Sequence, residues 1–202
     1  MKKSLLTLLI ASFALTTFFT SCDEEDNPIP ANEGIITINA SDYASWVYFS
    51  FEKDTIVEIA DYKTSLDWDL GFHRSDLRVN CGKSGTGEGA SIATGIINFD
   101  EITIAPESGY SVNDNIDIAV DIASFPPLME TVPGDTILAT WIEMTYGTSG
   151  PEYSYSNEIF VVKTSEGKYA KIWLKDYFND ESKSGFVTMK YSYQSDGSRK
   201  LD

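Results

Sequence analysis

The stretch "EIFVVKTSEGKYAKIWLKDYF", residues 158–178, decides the class of fold. On either side of Ser165-Glu166-Gly167 lies a run in which β-branched and aromatic residues alternate with polar ones. A short glycine-containing connection between two such runs is a hairpin signature. Reading outward, "GIITINA" (34–40), "SWVYFSF" (45–51), "DTIVEIA" (54–60) and "SIATGIINFDEITIA" (91–105) carry the same strand character, as do "DTILATWIEMTY" (135–146) and "GFVTMKYSY" (185–193). The expectation is an all-β or β-dominated architecture. Helical periodicity is confined to one possible turn around Asp42–Ser45, capped by Ser41 or Asp42. No internal repeat marks a solenoid or propeller. Residues 80–90, with Gly82, Gly85, Gly87 and Gly89, read as an exposed flexible loop, and 109–135 as an irregular segment with three prolines in its second half. Long loops on a β scaffold are where binding residues commonly sit.

The N-terminus is set apart from this domain. Lys2 and Lys3 precede an apolar stretch, Leu5 to Phe19, that ends at Thr20-Ser21-Cys22. This is the pattern of a secretion signal, and the stretch is short for a membrane span. A cysteine directly after a small residue at that point resembles the lipobox of bacterial lipoproteins, which makes Cys22 the expected lipidation site and first mature residue. The acidic run Asp23-Glu24-Glu25-Asp26 cannot bury itself and reads as part of a solvated tether, 22–33, ahead of a domain spanning 34–202. Acidic residues in that place resemble the surface-export signal of Bacteroidetes-type lipoproteins, so the expected location is the outer membrane, lipid-anchored, on the cell surface.

Charge and motif content narrow the function classes. The net charge of −16 becomes −18 once residues 1–21, with two lysines and no acid, are removed. A phosphate backbone needs a basic surface, so nucleic acid is disfavoured as a partner. "CGKSGTGEG" (81–89) tempts a phosphate-loop reading, but the glycine that motif needs five positions before Gly82 is Leu77. The chain has one histidine and no G-x-S-x-G elbow for a hydrolytic triad. It has no C-x-x-C pair or calcium loop. The 31 carboxylates are scattered as a solvated acidic surface would scatter them. With Cys22 lipidated, Cys81 has no disulfide partner. The expectation is a binding protein and not an enzyme.

Three blocks, "SDYASWVYFSFE" (41–52), "SLDWDLGFHRSDLRVN" (65–80) and "KTSEGKYAKIWLKDYF" (163–178), resemble the HmuY-type hemophore-like lipoproteins of Bacteroidetes-type bacteria. The second is the most specific, with W-D-x-x-x-H-R at Trp68 to Arg74, then Asn80 and the glycine-rich loop. The resemblance implies an antiparallel all-β domain that captures heme outside the cell and passes it to an outer-membrane heme transporter. It also implies that His73 belongs to the fold signature and does not ligate iron, as its place in a strand beside Arg74 and several aspartates suggests independently. Family members use two axial residues on loops between strands, a histidine pair in some and a methionine pair in others. Here the single histidine leaves Met129, in the proline-framed "FPPLMETVPG", and Met144, in "LATWIEMTY", as the candidate heme ligands. The loop matching the second-ligand position, 146–156, holds neither methionine nor histidine, so Met129 alone and Tyr153 or Tyr155 stay open beside the methionine pair. Phe125, Pro126, Trp141 and Tyr146 are the expected apolar walls, and Met189 reads as core. The alternative is an interaction lipoprotein on the same fold that binds a non-heme ligand or a protein partner.

Overall fold

The structure is a computed structural model that describes residues 30–202. Cys22, the leader and most of the tether lie outside the described residues. Thirteen strands fall into two main sheets and two separate hairpins, every pairing antiparallel. The larger sheet has the order β1 (Asn32–Asn39), β13 (Ser184–Gln194), β12 (Tyr169–Phe178), β11 (Ile159–Lys163) and β6 (Ala90–Ala93). The β11–β12 pair is the hairpin expected at 158–178, with Gly167 at φ +78 in its turn, a backbone region that glycine enters without steric cost. The second sheet has the order β3 (Thr55–Val57), β2 (Val47–Ser50), β4 (Leu70–His73) and β5 (Asp76–Val79).

Alternation explains how the core forms. Along β11 all of Ile159 to Val162 are buried: Phe160 and Val162 join Phe49, Phe72, Leu77 and Met189 in a core shared by the two sheets. Ile159 and Val161, on the opposite face, pack with Phe99, Ile102 and Leu201 in a second cluster. Met189 is core, as expected.

Several local expectations are corrected. Residues 109–135 are not irregular: they contain β7 (Asp114–Asp121) and β8 (Leu128–Gly134), paired as a hairpin. Residues 135–146 are not one strand. Asp135 Oδ1 accepts from the Ile137 and Leu138 amides and starts a 3-10 turn, Leu138–Trp141, which resets the face pattern before β9 (Ile142–Gly147). The expected loop 146–156 is mostly strand, β10 (Gly150–Tyr155), pairing with β9. Asp42 caps only a bend, accepting from the Ala44 amide and the Ser45 hydroxyl. The glycine-rich segment after β5 is not simply exposed, because Asn80, Cys81 and Ser84 are buried within it. In 91–105 only Ala90–Ala93 is strand, followed by a 3-10 turn at Phe99–Glu101.

Candidate functional site

The W-D-x-x-x-H-R block ties distant loops to one strand pair. Trp68 is fully buried and donates its indole N–H to the Tyr62 carbonyl at 2.9 Å. Asp69 accepts from the amides of Phe51 and Ser165, both at 2.8 Å, which joins the two sheets. Asn80 donates to the carbonyls of Ser65 and Trp68 and accepts from the Gly87 amide. His73 is 1% exposed, and its Nε2 lies 2.8 Å from the Tyr43 carbonyl. A carbonyl only accepts, so Nε2 carries the proton. His73 is therefore a buried hydrogen-bonding residue with no nitrogen presented to a ligand. Cys81 is also buried, its thiol pushed up to about 11 by desolvation, which marks it as unreactive.

The two hairpins are rooted on this scaffold. Asn113, just before β7, donates from Nδ2 to the Val79 carbonyl and Ser84 Oγ, while the Asp135 amide, just after β8, donates to the Leu77 carbonyl. The β9–β10 hairpin is held by Trp141, whose indole donates to the Ser75 carbonyl, and by Tyr155, whose hydroxyl donates to Asp176. Between these roots lies a cleft of about 280 Å³, lined by Tyr43, Arg74, Ala119, Met144, Tyr153 and Tyr177 among others. Irregular pairing near Asp176 bends the end of β12 and helps aim Tyr177 into it. Burial pushes the Tyr177 hydroxyl up to about 12 and that of Tyr153 in the same direction, while Arg74 pulls both down.

Both candidate methionines lie on these hairpins. Met144 lines the cleft and stands opposite Tyr153 in the β9–β10 register. It is 50% exposed, so it does not fill a core. Met129 is 51% exposed and stands opposite Ala119 on β7. Ala119 lines the cleft, and Met129 stands beside it without being among the lining residues itself. The two tyrosines separate: Tyr153 lines the cleft, whereas the Tyr155 hydroxyl is engaged by Asp176 and by the Tyr177 amide. Of the expected apolar walls, Trp141 is buried beneath Tyr155 and Tyr177 and faces no ligand. Phe125 and Tyr146 are exposed, Phe125 at 97%. Among the described residues no group of three or more histidine, cysteine or carboxylate side chains could hold a bare metal ion.

The family model described as HmuY protein matches residues 42–191, about three quarters of the chain. The chain belongs to the HmuY family. A crystal structure of a Bacteroides vulgatus protein, described as HmuY-like and heme-binding, superposes with a TM-score of 0.66 at 26% identity, covering 80% of this chain and 92% of that one. The apo HmuY analogue of Tannerella forsythia gives a TM-score of 0.66 at 24% identity, covering 84% and 99%. Apo PinO from Porphyromonas gingivitis gives 0.67 at 19%, covering 81% and 98%. At those last two identities the likeness is one of fold. No curated protein matches the chain.

Tyr43, Arg74 and Tyr177 are the cleft residues that sequence reasoning missed as a group. Arg74 was visible beside His73, but nothing in the spacing ties it to positions some 30 residues before and 100 after it.

Proposed function

We propose that this HmuY-family chain is a heme-binding lipoprotein in which Met129 and Met144 supply the axial ligands. The observation that supports the reading is that two half-exposed thioethers stand on two separate hairpins, Met144 lining the cleft and Met129 opposite Ala119, which lines it. Methionine ordinarily fills core gaps, and thioether sulfur is an established axial ligand for heme iron. The residues also fit the porphyrin itself. A cleft of 280 Å³ is small for a macrocycle, but Ile122, Phe125, Leu128 and Tyr146 are exposed on the same two hairpins and offer it apolar contact. Bound there, heme would supply the redox-active iron; the chain's own residues bind and orient it, without catalysis.

Neutral thioethers favour ferrous over ferric iron, so heme affinity is expected to rise on reduction. A titration followed at the Soret band, with and without dithionite, checks this. Met144→Ala is expected to convert a six-coordinate low-spin spectrum to a five-coordinate one, and Met129→Ala to remove most of the affinity. An unchanged spectrum and affinity in the double variant would exclude the methionine pair and direct attention to Tyr153. No binding in either redox state would favour the non-heme interaction lipoprotein.

Delivery to an outer-membrane heme transporter and anchoring at Cys22 on the cell surface complete the proposal. They are supported by the apolar run ending in Ser21-Cys22, the acidic residues after it and the family membership. Cys22→Ala is expected to abolish incorporation of labelled fatty acid into the chain; equal label in the variant would rule the anchor out.

A further inference from the structure

We propose that Arg74 makes the cleft a carboxylate-recognising site, which seats an acid arm of the bound macrocycle and selects porphyrins whose carboxylates are free. The inference rests on the heme-binding reading and adds a specificity to it. Arg74 is the only cationic side chain among those lining the cleft. The chain has 31 acids to 15 bases, and Lys53, Lys83, Lys168, Lys183, Lys190 and Arg199 each stand within ion-pair distance of a carboxylate. Arg74 does not. Its Nη1 donates to the carbonyls of Ser41 and Ser184 at 3.0 and 3.1 Å, and its Nη2 to Ser184 Oγ at 2.7 Å. The Tyr43 ring lies 4.4 Å and the Tyr177 ring 5.5 Å from the guanidinium carbon. Three neutral oxygens and two aromatic faces fix its position, with no carboxylate within ion-pair distance.

Donor capacity is left over as well. A guanidinium has five N–H groups; three are engaged, the Nε one is buried without a partner, and the second Nη2 N–H is the one left for a ligand. The backbone has been shaped around this side chain. Arg74 sits at φ +55 in the two-residue turn between β4 and β5, a conformation that disfavours any residue with a Cβ. Gly185 leaves the guanidinium its space, since a Cβ there would come within 2.5 Å of Arg74 Nη1.

One group opposes the anion. Asp76 lines the same cleft, with the His73 ring nitrogen Nδ1 3.7 Å from its carboxylate. The net charge of −16 also repels an anionic ligand at long range, though salt screens that within about 8 Å at physiological ionic strength. The local balance between Arg74 and Asp76 therefore decides whether a carboxylate is accepted, and each side of it can be altered separately.

The test titrates the full chain with heme and with heme dimethyl ester, read by the Soret band and by quenching of tryptophan fluorescence. The ester is expected to bind roughly tenfold or more weakly, the scale of a charge-assisted hydrogen bond. Arg74→Lys should narrow the gap between acid and ester by weakening the acid alone. Asp76→Asn should tighten the acid several-fold and leave the ester unchanged. An ester that binds the unmodified chain as tightly as the acid overturns the Arg74 proposal and leaves heme binding standing, a result that does not depend on any variant folding. Absence of binding by both porphyrins overturns both readings.

Discussion

A histidine whose Nε2 proton is held by a backbone carbonyl and whose ring is closed off from solvent contributes cohesion, not ligation. His73 meets the Tyr43 carbonyl on one side, and its ring centroid lies 5.3 Å from that of Trp46. His73→Ala leaves a cavity and an unpaired carbonyl, and is expected to cost about 2–4 kcal/mol while the heme ligation spectrum keeps its shape. Urea unfolding followed by tryptophan fluorescence, beside a Soret titration of the same variant, checks both halves; a lost ligation signature at unchanged stability would contradict the assignment. The neighbouring Gly71 is fixed by similar crowding, since a Cβ there would lie 2.8 Å from the Arg78 Cγ. The W-D-x-x-x-H-R block was legible as a signature because it is contiguous. What each of its residues holds was not, because their partners, Ser165 for Asp69 and Ser184 for Arg74, lie about a hundred positions away.

At the scale of elements, strands buried on one or both faces were readable, and strands standing out into solvent were not. β11, β12 and β13 announce themselves through apolar residues that the core selects. In β7 the sequence N-I-D-I-A-V-D also alternates, with Ile118 turned inward and Asp117 outward beside Thr131, yet the prolines that follow disguise its partner. β8 accommodates Pro133 because it pairs with β7 alone and is therefore an edge strand, and Gly134 makes room for Ile116, whose Cδ1 would lie 2.2 Å from a Cβ. β9 was displaced in register by the turn that Asp135 starts. Met144 stands on that strand and lines the cleft. The same local chemistry that hid the hairpins from pattern reading therefore creates the candidate site: apolar side chains on ribbons with too little core to cover them.

At the scale of the whole molecule the acid excess sets how stability responds to pH. Asp69 and Asp135 are buried, and desolvation raises both carboxyls above the usual aspartate value, opposed in Asp69 by the amides of Ser165 and Phe51 and in Asp135 by that of Leu138 and others. A carboxyl raised on folding makes the native state bind more protons than the unfolded one. Its stabilisation is full below the unfolded pKa of about 3.9 and is lost as pH rises through the folded value. Asp42, Glu52, Asp67 and Asp114 act in the opposite sense, held low by hydrogen bonds from Ser45, Tyr193, Lys53 and Lys83 respectively. Their contributions disappear as pH falls through their lowered values, but these groups are exposed and solvent screens them, so they count for little. Self-repulsion in a chain of net charge −16 at neutral pH adds to the first effect, because protonation relieves it. The expected outcome is a melting temperature that climbs as pH is lowered from neutral through the raised values of the two buried aspartates and turns down only under stronger acid, where the exposed pairs are lost. Thermal unfolding followed by circular dichroism across that range checks it, and a melting temperature that instead falls steadily as pH is lowered from neutral would show that the exposed carboxylates outweigh the two buried ones.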